Sequence, residues 1–194
     1  PENPIFTRVD DFPKKAAELL AAGNPLAWFQ GRMEFGPRSL GCRSILGDPS
    51  YPGVADRINA QIKYRERWRP FCPSMLDTVA EDLLQSKHPA PYMTFTFDMA
   101  EHWKPRVPEV VHEDGTARVQ TVGPDDDPFL RSLLLALQAR GEPAVVINTS
   151  LNRPGEPIVN TATEARVAAL AMDIDGLLIG NRLATLSSGK ASED

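Results

Sequence analysis

Short apolar runs suited to strands alternate along this chain with helix-like segments, and Pro- or Gly-rich connections separate them. That alternation restricts the chain to an α/β architecture, because a sheet built from such strands buries its faces only under the intervening helices. Pro13 at a first helical position and Gly23 as a stop predict a helix over 13–22, followed by a buried strand over 25–29. A brief strand is expected at Ser44 to Leu46, and Val54, Ile58 and Ile62 recur four apart, predicting a helix from Tyr51 to Ile62. The Pro-broken run 70–76 reads as an irregular or edge strand, Thr78 to Gln85 as a short helix, and the alternating Tyr92 to Phe97 as a strand. Asp114-Gly115 between two β-prone arms predicts a hairpin over 107–122. Pro128 introduces an apolar helix from Phe129 to Ala139, ended by Gly141. A strand over 144–149, a polar loop, a helix from Thr163 to Met172 and a strand over 177–180 complete the pattern. With no internal repeat and no long linker, residues 1–186 are expected to form one domain, and 187–194 a flexible tail.

Composition narrows the function classes. The chain has 194 residues, 42% of them hydrophobic, enough for one sizeable core. No apolar run approaches the roughly 18 residues a spanning helix needs, so a soluble, cytoplasmic protein with no membrane partner is expected. Cys42 and Cys72 are too few for a disulfide framework, and no Cys-x-x-Cys or His-x-x-x-His spacing suggests a metal site. A net charge of -5 argues against bulk binding to nucleic acid. The charge is lopsided, however: residues 30–70 carry eight basic and four acidic side chains, +4, which leaves -9 for the remainder. Arginine outnumbers lysine fifteen to six. Its planar fork of donors suits carboxylate and phosphate oxygens, so a small anionic ligand is the expectation.

Four segments combine permissive backbone with anion donors. Residues 30–41 (QGRMEFGPRSLG) offer Arg32 and Arg38 among glycines; the plainer reading is a tight loop with Arg–Glu34 surface pairs. Lys63, Arg65, Arg67 and Arg69 would form a basic row if extended, or a solvated turn with Trp68 in the core. Thr116, Arg118 and Gln120 would share one face of the hairpin's second arm, as a ligand-reading face or as the polar side of an exposed strand. His112 beside them is a general base or an ordinary structural histidine. Asn148, Ser150 and Asn152 alternate at the end of an apolar strand, where open α/β sheets bind ligands.

In order, the strings FQGRMEFGPRSLGCRSILGDP (29–49), INAQIKYRERWRPFCPSML (58–76), HEDGTARVQTV (112–122) and NTSLNRPGEPIVNTATEA (148–165) resemble the C-terminal domain of the O-carbamoyltransferase family, which includes nodulation-factor and antibiotic-tailoring enzymes. The resemblance implies a YrdC-like fold, a twisted mixed sheet flanked by helices around a basic central cavity. It implies ATP with Mg2+ and carbamoyl phosphate as what the domain binds, and carbamoyl adenylate as what it makes. A Kae1-like N-terminal domain, expected to be absent from this chain, would carry the iron and move the carbamoyl group onto a hydroxyl of a small-molecule acceptor. Complete transfer is therefore expected to fail with this chain alone.

The Lys-x-Arg and Ser-x-Asn signatures of YrdC-like domains match Lys63-Tyr64-Arg65 and Ser150-Leu151-Asn152. Lys63, Arg65 and Arg118 are the implied catalytic set, with Arg32, Arg38, Arg69, Thr116, Asn148, Ser150 and Asn152 binding substrate or nucleotide, and no side chain holding a metal. Three departures are small: Ser39-Leu40-Gly41-Cys42 where Ala-Leu-Gly-Asn is expected, Cys72 for Ala, and Leu151 for Phe. Leu151 is expected to alter stacking or packing beside the nucleotide. Two other readings share the cavity: a threonylcarbamoyl-adenylate synthase-like domain serving tRNA modification, and a non-catalytic anion-binding module.

Overall fold

A computed structural model of the chain describes residues 4–186, so the expected tail at 187–194 lies outside the described residues. The elements run β1 (Thr7–Arg8), α1 (Phe12–Ala21), β2 (Leu26–Phe29), β3 (Arg43–Gly47), α2 (Val54–Arg57), β4 (Cys72–Leu76), α3 (Asp77–Leu83), β5 (Thr96–Asp98), β6 (Thr116–Arg118), β7 (Gln120–Val122), α4 (Pro128–Ala139), β8 (Val145–Ser150), α5 (Ala162–Ala171), β9 (Gly176–Ile179) and β10 (Arg182–Thr185). Local chemistry starts three of the helices. The Asp11 side chain accepts from Lys14 N–H ahead of α1, Asp127 accepts from Phe129 and Leu130 ahead of α4, and Thr161 with Glu164 forms a capping box on α5.

Eight strands form one mixed sheet in the order β1-β10-β9-β2-β3-β8-β4-β7, and β5 pairs with β6 in a small second sheet. The β2/β9 and β4/β7 pairs are parallel and the other pairs antiparallel. Side chains alternate across the sheet. Leu26, Trp28, Leu46, Val146 and Leu178 pack under α1 and α4, whereas Ala27, Ile45, Ile147 and Leu177 face a core shared with Ile58, Ile62, Leu83 and Ala168. Each fully buried Leu or Ile contributes about 1.5–3 kcal/mol, so both faces hold the sheet. The α/β expectation and its mixed sheet are what the fold shows.

Several local expectations are corrected. The helix expected from Tyr51 begins only at Val54, because the Glu109 carboxylate accepts from Gly53 and Ala55 N–H and fixes the start there. It then widens into a π-helical turn over Ile58–Ile62, closed by Lys63 N–H to Ile58 O at 2.8 Å. Strand β4 is not an edge strand but lies between β8 and β7; Pro73 faces Ile147 of β8, and pairing with β7 begins one residue later. The strand expected over 92–97 shrinks to Thr96–Asp98 because Met93 takes a left-handed φ of 53°.

The hairpin expected over 107–122 is also corrected. Its turn forms, with Gly115 at φ 82° and His112 N–H on Thr116 O at 2.8 Å. The first arm instead coils into a 3-10 turn over Pro108–Val110 that buries Val107 and Val110, and β6 pairs with β5. Strands β1 and β10 were not anticipated from the sequence.

Candidate functional site

The loop over 30–42 is held from within. Glu34 Oε1 accepts backbone N–H from Leu40 and Cys42, both at 2.7 Å, and from Arg43 at 3.2 Å. Arg43, buried at 4% exposure, donates to Gln30 O and Gly31 O and lies 3.6 Å over the Phe29 ring. Gly41 has φ 114° and sits so close to α4 that an added Cβ would meet Leu130 at 2.7 Å. The anticipated Arg–Glu34 surface pairs do not form; the carboxylate serves backbone donors instead.

Beneath this loop lies a buried polar network. Ser39 Oγ bonds Ser44 Oγ and donates to Asn148 Oδ1 at 3.4 Å; Asn148 Nδ2 donates to Ser74 Oγ and Gln120 Oε1; Gln120 Nε2 returns to Leu40 O at 2.8 Å. The network ties loop 30–42 to β3, β4, β7 and β8, and such fully partnered buried networks rigidify what they join.

On it rests a cavity of about 130 Å³ lined by Arg38, Ser39, Arg65, Phe71, Cys72, Arg118, Asn148, Thr149 and Ser150, with Pro37, Pro70 and Met93 closing its sides. Three guanidinium groups and no carboxylate line it. Arg118 Nε and Nη2 donate to Cys72 Sγ at 3.0 and 2.9 Å. Arg65 Nε donates to Asn59 Oδ1 at 2.6 Å while its guanidinium stands 4.7 Å from the Phe71 ring centroid. Burial, and then neighbouring Arg69, lower the Arg65 pKa below its ordinary value; a guanidinium nevertheless remains charged in proteins.

Lys63 stands behind the wall. Its Nζ donates to Ser150 O at 2.9 Å, Asn152 O at 3.0 Å and Asn152 Oδ1 at 2.9 Å, so its three protons have three acceptors. Ser150 Oγ donates to the same Asn152 Oδ1 at 2.5 Å. Burial, with Arg65 adding to it, pushes the Lys63 pKa down to about 8.

Of the ten residues singled out from the sequence, Arg38, Arg65, Arg118, Asn148 and Ser150 meet at the cavity, and Lys63 and Asn152 brace its Ser150 wall. Three lie elsewhere. Arg32 is exposed on the loop's outer side, Arg69 lines a neighbouring cleft with Arg67 and Trp68, and Thr116 bonds His112 and Asp114. The basic row does not form, because the chain turns sharply after Lys63, with Tyr64 at φ 49°, and Arg67 and Arg69 pair with Asp56 and Glu66. Trp68 is exposed rather than in the core, and Leu151, between the cavity-lining Ser150 and Asn152, is fully buried in the core. Sequence reasoning missed Ser39, Cys72 and Thr149. The first two stood in view as departures from the family's pattern, which was the available signal.

Among the described residues no cluster of three or more His, Cys, Asp or Glu is placed to hold a metal ion, and no helix is long and apolar enough to cross a membrane.

Comparison with known proteins identifies the family. Residues 17–185 match the family model described as Carbamoyltransferase C-terminus. Nodulation protein NolNO of Sinorhizobium fredii is 41% identical over 179 residues, covering 91% of this chain and 26% of that protein. Nodulation protein NolO of Bradyrhizobium diazoefficiens is 40% identical over 176 residues, covering 89% and 32%. The chain thus spans between a quarter and a third of the length of these relatives. Among solved structures, P. abyssi Sua5 complexed with L-threonine superimposes with a TM-score of 0.61 at 14% identity, over 90% of this chain and 48% of that one, a likeness of fold alone. Its sequence places this chain in the carbamoyltransferase family, as a C-terminal domain of that family.

Proposed function

We propose that this domain activates carbamoyl phosphate with ATP to carbamoyl adenylate, for transfer to a hydroxyl of a small-molecule acceptor elsewhere in the full-length protein. The observation that carries the reading is the cavity in which Arg38, Arg65 and Arg118 converge with no carboxylate among them. Three like charges at one small site repel unless an anion sits among them, and guanidinium forks fit phosphate and carbamate oxygens. Hydrolysis of carbamoyl phosphate leaves carbamate and inorganic phosphate. A carbamate oxygen then attacks the α-phosphorus of ATP, the bond from that phosphorus to the bridging oxygen breaks, and pyrophosphate leaves with the electron pair. Such transfers depend mainly on positioning and charge stabilisation, so no covalent nucleophile is required.

Arg118 and Arg65 hold the reacting phosphate and carbamate oxygens, and Arg38, on the exposed loop, reaches the outer phosphates. Ser150 and Asn148 offer neutral hydrogen bonds. Lys63 acts as a positioning group, fixing the Ser150–Asn152 turn and adding positive charge behind it. No carboxylate lines the cavity, so magnesium would arrive on the triphosphate as part of the substrate.

A second reading, threonylcarbamoyl-adenylate formation, is favoured by the fold shared with Sua5. One assay separates the two: pyrophosphate release by the purified chain with ATP and carbamoyl phosphate, against ATP with threonine and bicarbonate. Release only with carbamoyl phosphate is expected. Release only with threonine moves the assignment to the second reading, and nucleotide binding without release in either arm leaves a non-catalytic binding module.

A further inference from the structure

Thr116, Arg118 and Gln120 alternate along the chain, and of the three only Arg118 lines the arginine cavity. Gln120 is buried, at 5% exposure, with both of its polar atoms engaged. Its Oε1 accepts from Ser74 Oγ at 2.6 Å and from Asn148 Nδ2 at 3.2 Å, and its Nε2 donates to Leu40 O at 2.8 Å. The N–H of Leu40 is held as well, by Glu34 Oε1 at 2.7 Å. Ser39, between Leu40 and Arg38, is buried and bonds Ser44 Oγ and Asn148 Oδ1. The backbone of loop 30–42 is therefore pinned directly after Arg38, and Gln120 joins that point to Asn148 in the cavity wall.

The three cavity arginines differ in what aims them. Arg118 is held by Cys72 Sγ, and Arg65 by Asn59 Oδ1. Arg38 is exposed, and among the described residues its side chain makes no hydrogen bond, ion pair or ring contact. Its direction rests on the backbone that carries it. Upstream that backbone has little support, because Gly36 takes φ 123° with no atom within 4 Å of where a Cβ would stand. Downstream it has the bonds on Ser39 and Leu40, and the Leu40 carbonyl rests on Gln120. A long side chain magnifies a small backbone shift at its tip, and a misplacement of about 1 Å in a binding constellation costs up to roughly 10²-fold.

Resting on the reading in which Arg38 meets the outer phosphates, we infer that Gln120 is the positioning residue for Arg38, tying the loop at Leu40 to the cavity wall so that an otherwise unsupported guanidinium is aimed at the anion. The test is calorimetric titration of the purified chain with inorganic tripolyphosphate. Arg38→Ala should weaken binding about 10- to 100-fold. Gln120→Met, similar in volume but without the amide, should weaken it roughly fivefold, and no more than Arg38→Ala does. In the Arg38→Ala background Gln120→Met should add nothing. Ser74→Ala, which removes a member of the same buried network but keeps the Leu40 contact, should lower the thermal midpoint and leave binding within about twofold. In pyrophosphate release, Gln120→Met should raise the KM for ATP by its own binding factor with kcat within about twofold, a split that loss of folded protein would not give. Gln120→Asn, too short to span from Ser74 to Leu40, takes the place of Gln120→Met if that variant does not fold. Unchanged binding in Gln120→Met overturns the inference and leaves the phosphate cavity standing. So does a loss that persists beside Arg38→Ala, or an equal loss in Ser74→Ala, either of which traces the effect to the fold rather than to Arg38. Full binding by Arg38→Ala leaves Gln120 nothing to position and overturns it as well. If the wild type neither binds tripolyphosphate nor releases pyrophosphate, the adenylate-forming reading falls and this role falls with it.

Discussion

Two segments of the chain carry clustered arginines, Arg32 and Arg38 in loop 30–42 and Arg65, Arg67 and Arg69 in the turn over 63–70, yet the molecule uses them differently. Loop 30–42 is fixed from inside: one Glu34 oxygen takes three backbone N–H groups, and the serine, asparagine and glutamine network lies directly below. The turn over 63–70 is fixed at its start, where Lys63 bonds the Ser150–Asn152 turn and Asn59 donates to Arg67 O and Arg69 O; beyond that Arg67, Trp68 and Arg69 stand exposed. Each segment gives one arginine to the cavity, Arg38 from the first and Arg65 from the second. A run of charge becomes a site only where buried partners fix the backbone that carries it. Elsewhere it stays on the surface in weak ion pairs.

Breaking the convergence itself should have the largest effect. Arg118→Ala removes a guanidinium from the cavity wall and frees Cys72 Sγ, and carbamoyl-phosphate-dependent pyrophosphate release should fall about 10²–10³-fold. Cys72→Ala, which removes the acceptor but keeps the charge, should fall far less. Equal losses would show that Arg118 acts through its sulfur contact rather than its charge.

Next in size is the loop's internal anchor. Glu34→Ala leaves three backbone donors without their carboxylate and should cost about 1–3 kcal/mol, read as a lower midpoint in urea unfolding. Asn59→Ala, which releases the two carbonyls at 67 and 69 and the Arg65 Nε contact, should cost about 1 kcal/mol and weaken anion binding through Arg65. If Asn59→Ala cost more stability than Glu34→Ala, the contrast between a deeply and a lightly anchored segment would be reversed.

The pH dependence tests the buried lysine. Lys63 has a folded pKa of about 8, below the roughly 10.4 of an unfolded lysine. Between these values the unfolded chain holds a proton that the folded chain has released. Burial of the Lys63 charge therefore opposes folding below about 8 and ceases to do so as pH rises toward 10.4. Against a Lys63→Met variant, the wild type should gain thermal stability by a few degrees over this window. Anion affinity should move the opposite way, weakening above pH 8 as the positive charge behind the wall is lost. The smallest effect is expected for Arg67→Ala, whose ion pair with Asp56 is exposed and 3.7 Å long: stability within about 0.5 kcal/mol and unchanged activity.

Much of this was legible in the chain because it depends on near neighbours. Pro13 after the Asp11 cap, Pro128 after the Asp127 cap and the apolar periods place α1 and α4 without reference to the rest of the molecule. The two motifs Lys63-x-Arg65 and Ser150-x-Asn152 were likewise visible, and they do meet. Two expectations failed for reasons of distant packing. Val107 and Val110 are drawn into the core instead of forming a hairpin arm, and β4 takes an interior place because β7 adds on its outer side. Thr116 and Arg118, two apart in one strand, diverge because Thr116 is bonded back to Asp114 and His112 while Arg118 is held by Cys72.

The sequence by itself determined the α/β class, the family and the stock of anion donors, since local periodicity, capping residues and contiguous motifs are properties of neighbouring residues. Which of those donors converge was decided only by the tertiary structure. Pairing of β8 with β3 and β4 puts Asn148 and Ser150 beside Ser39 and Cys72, residues more than seventy positions away, and a one-residue change of register would turn those side chains to the opposite face.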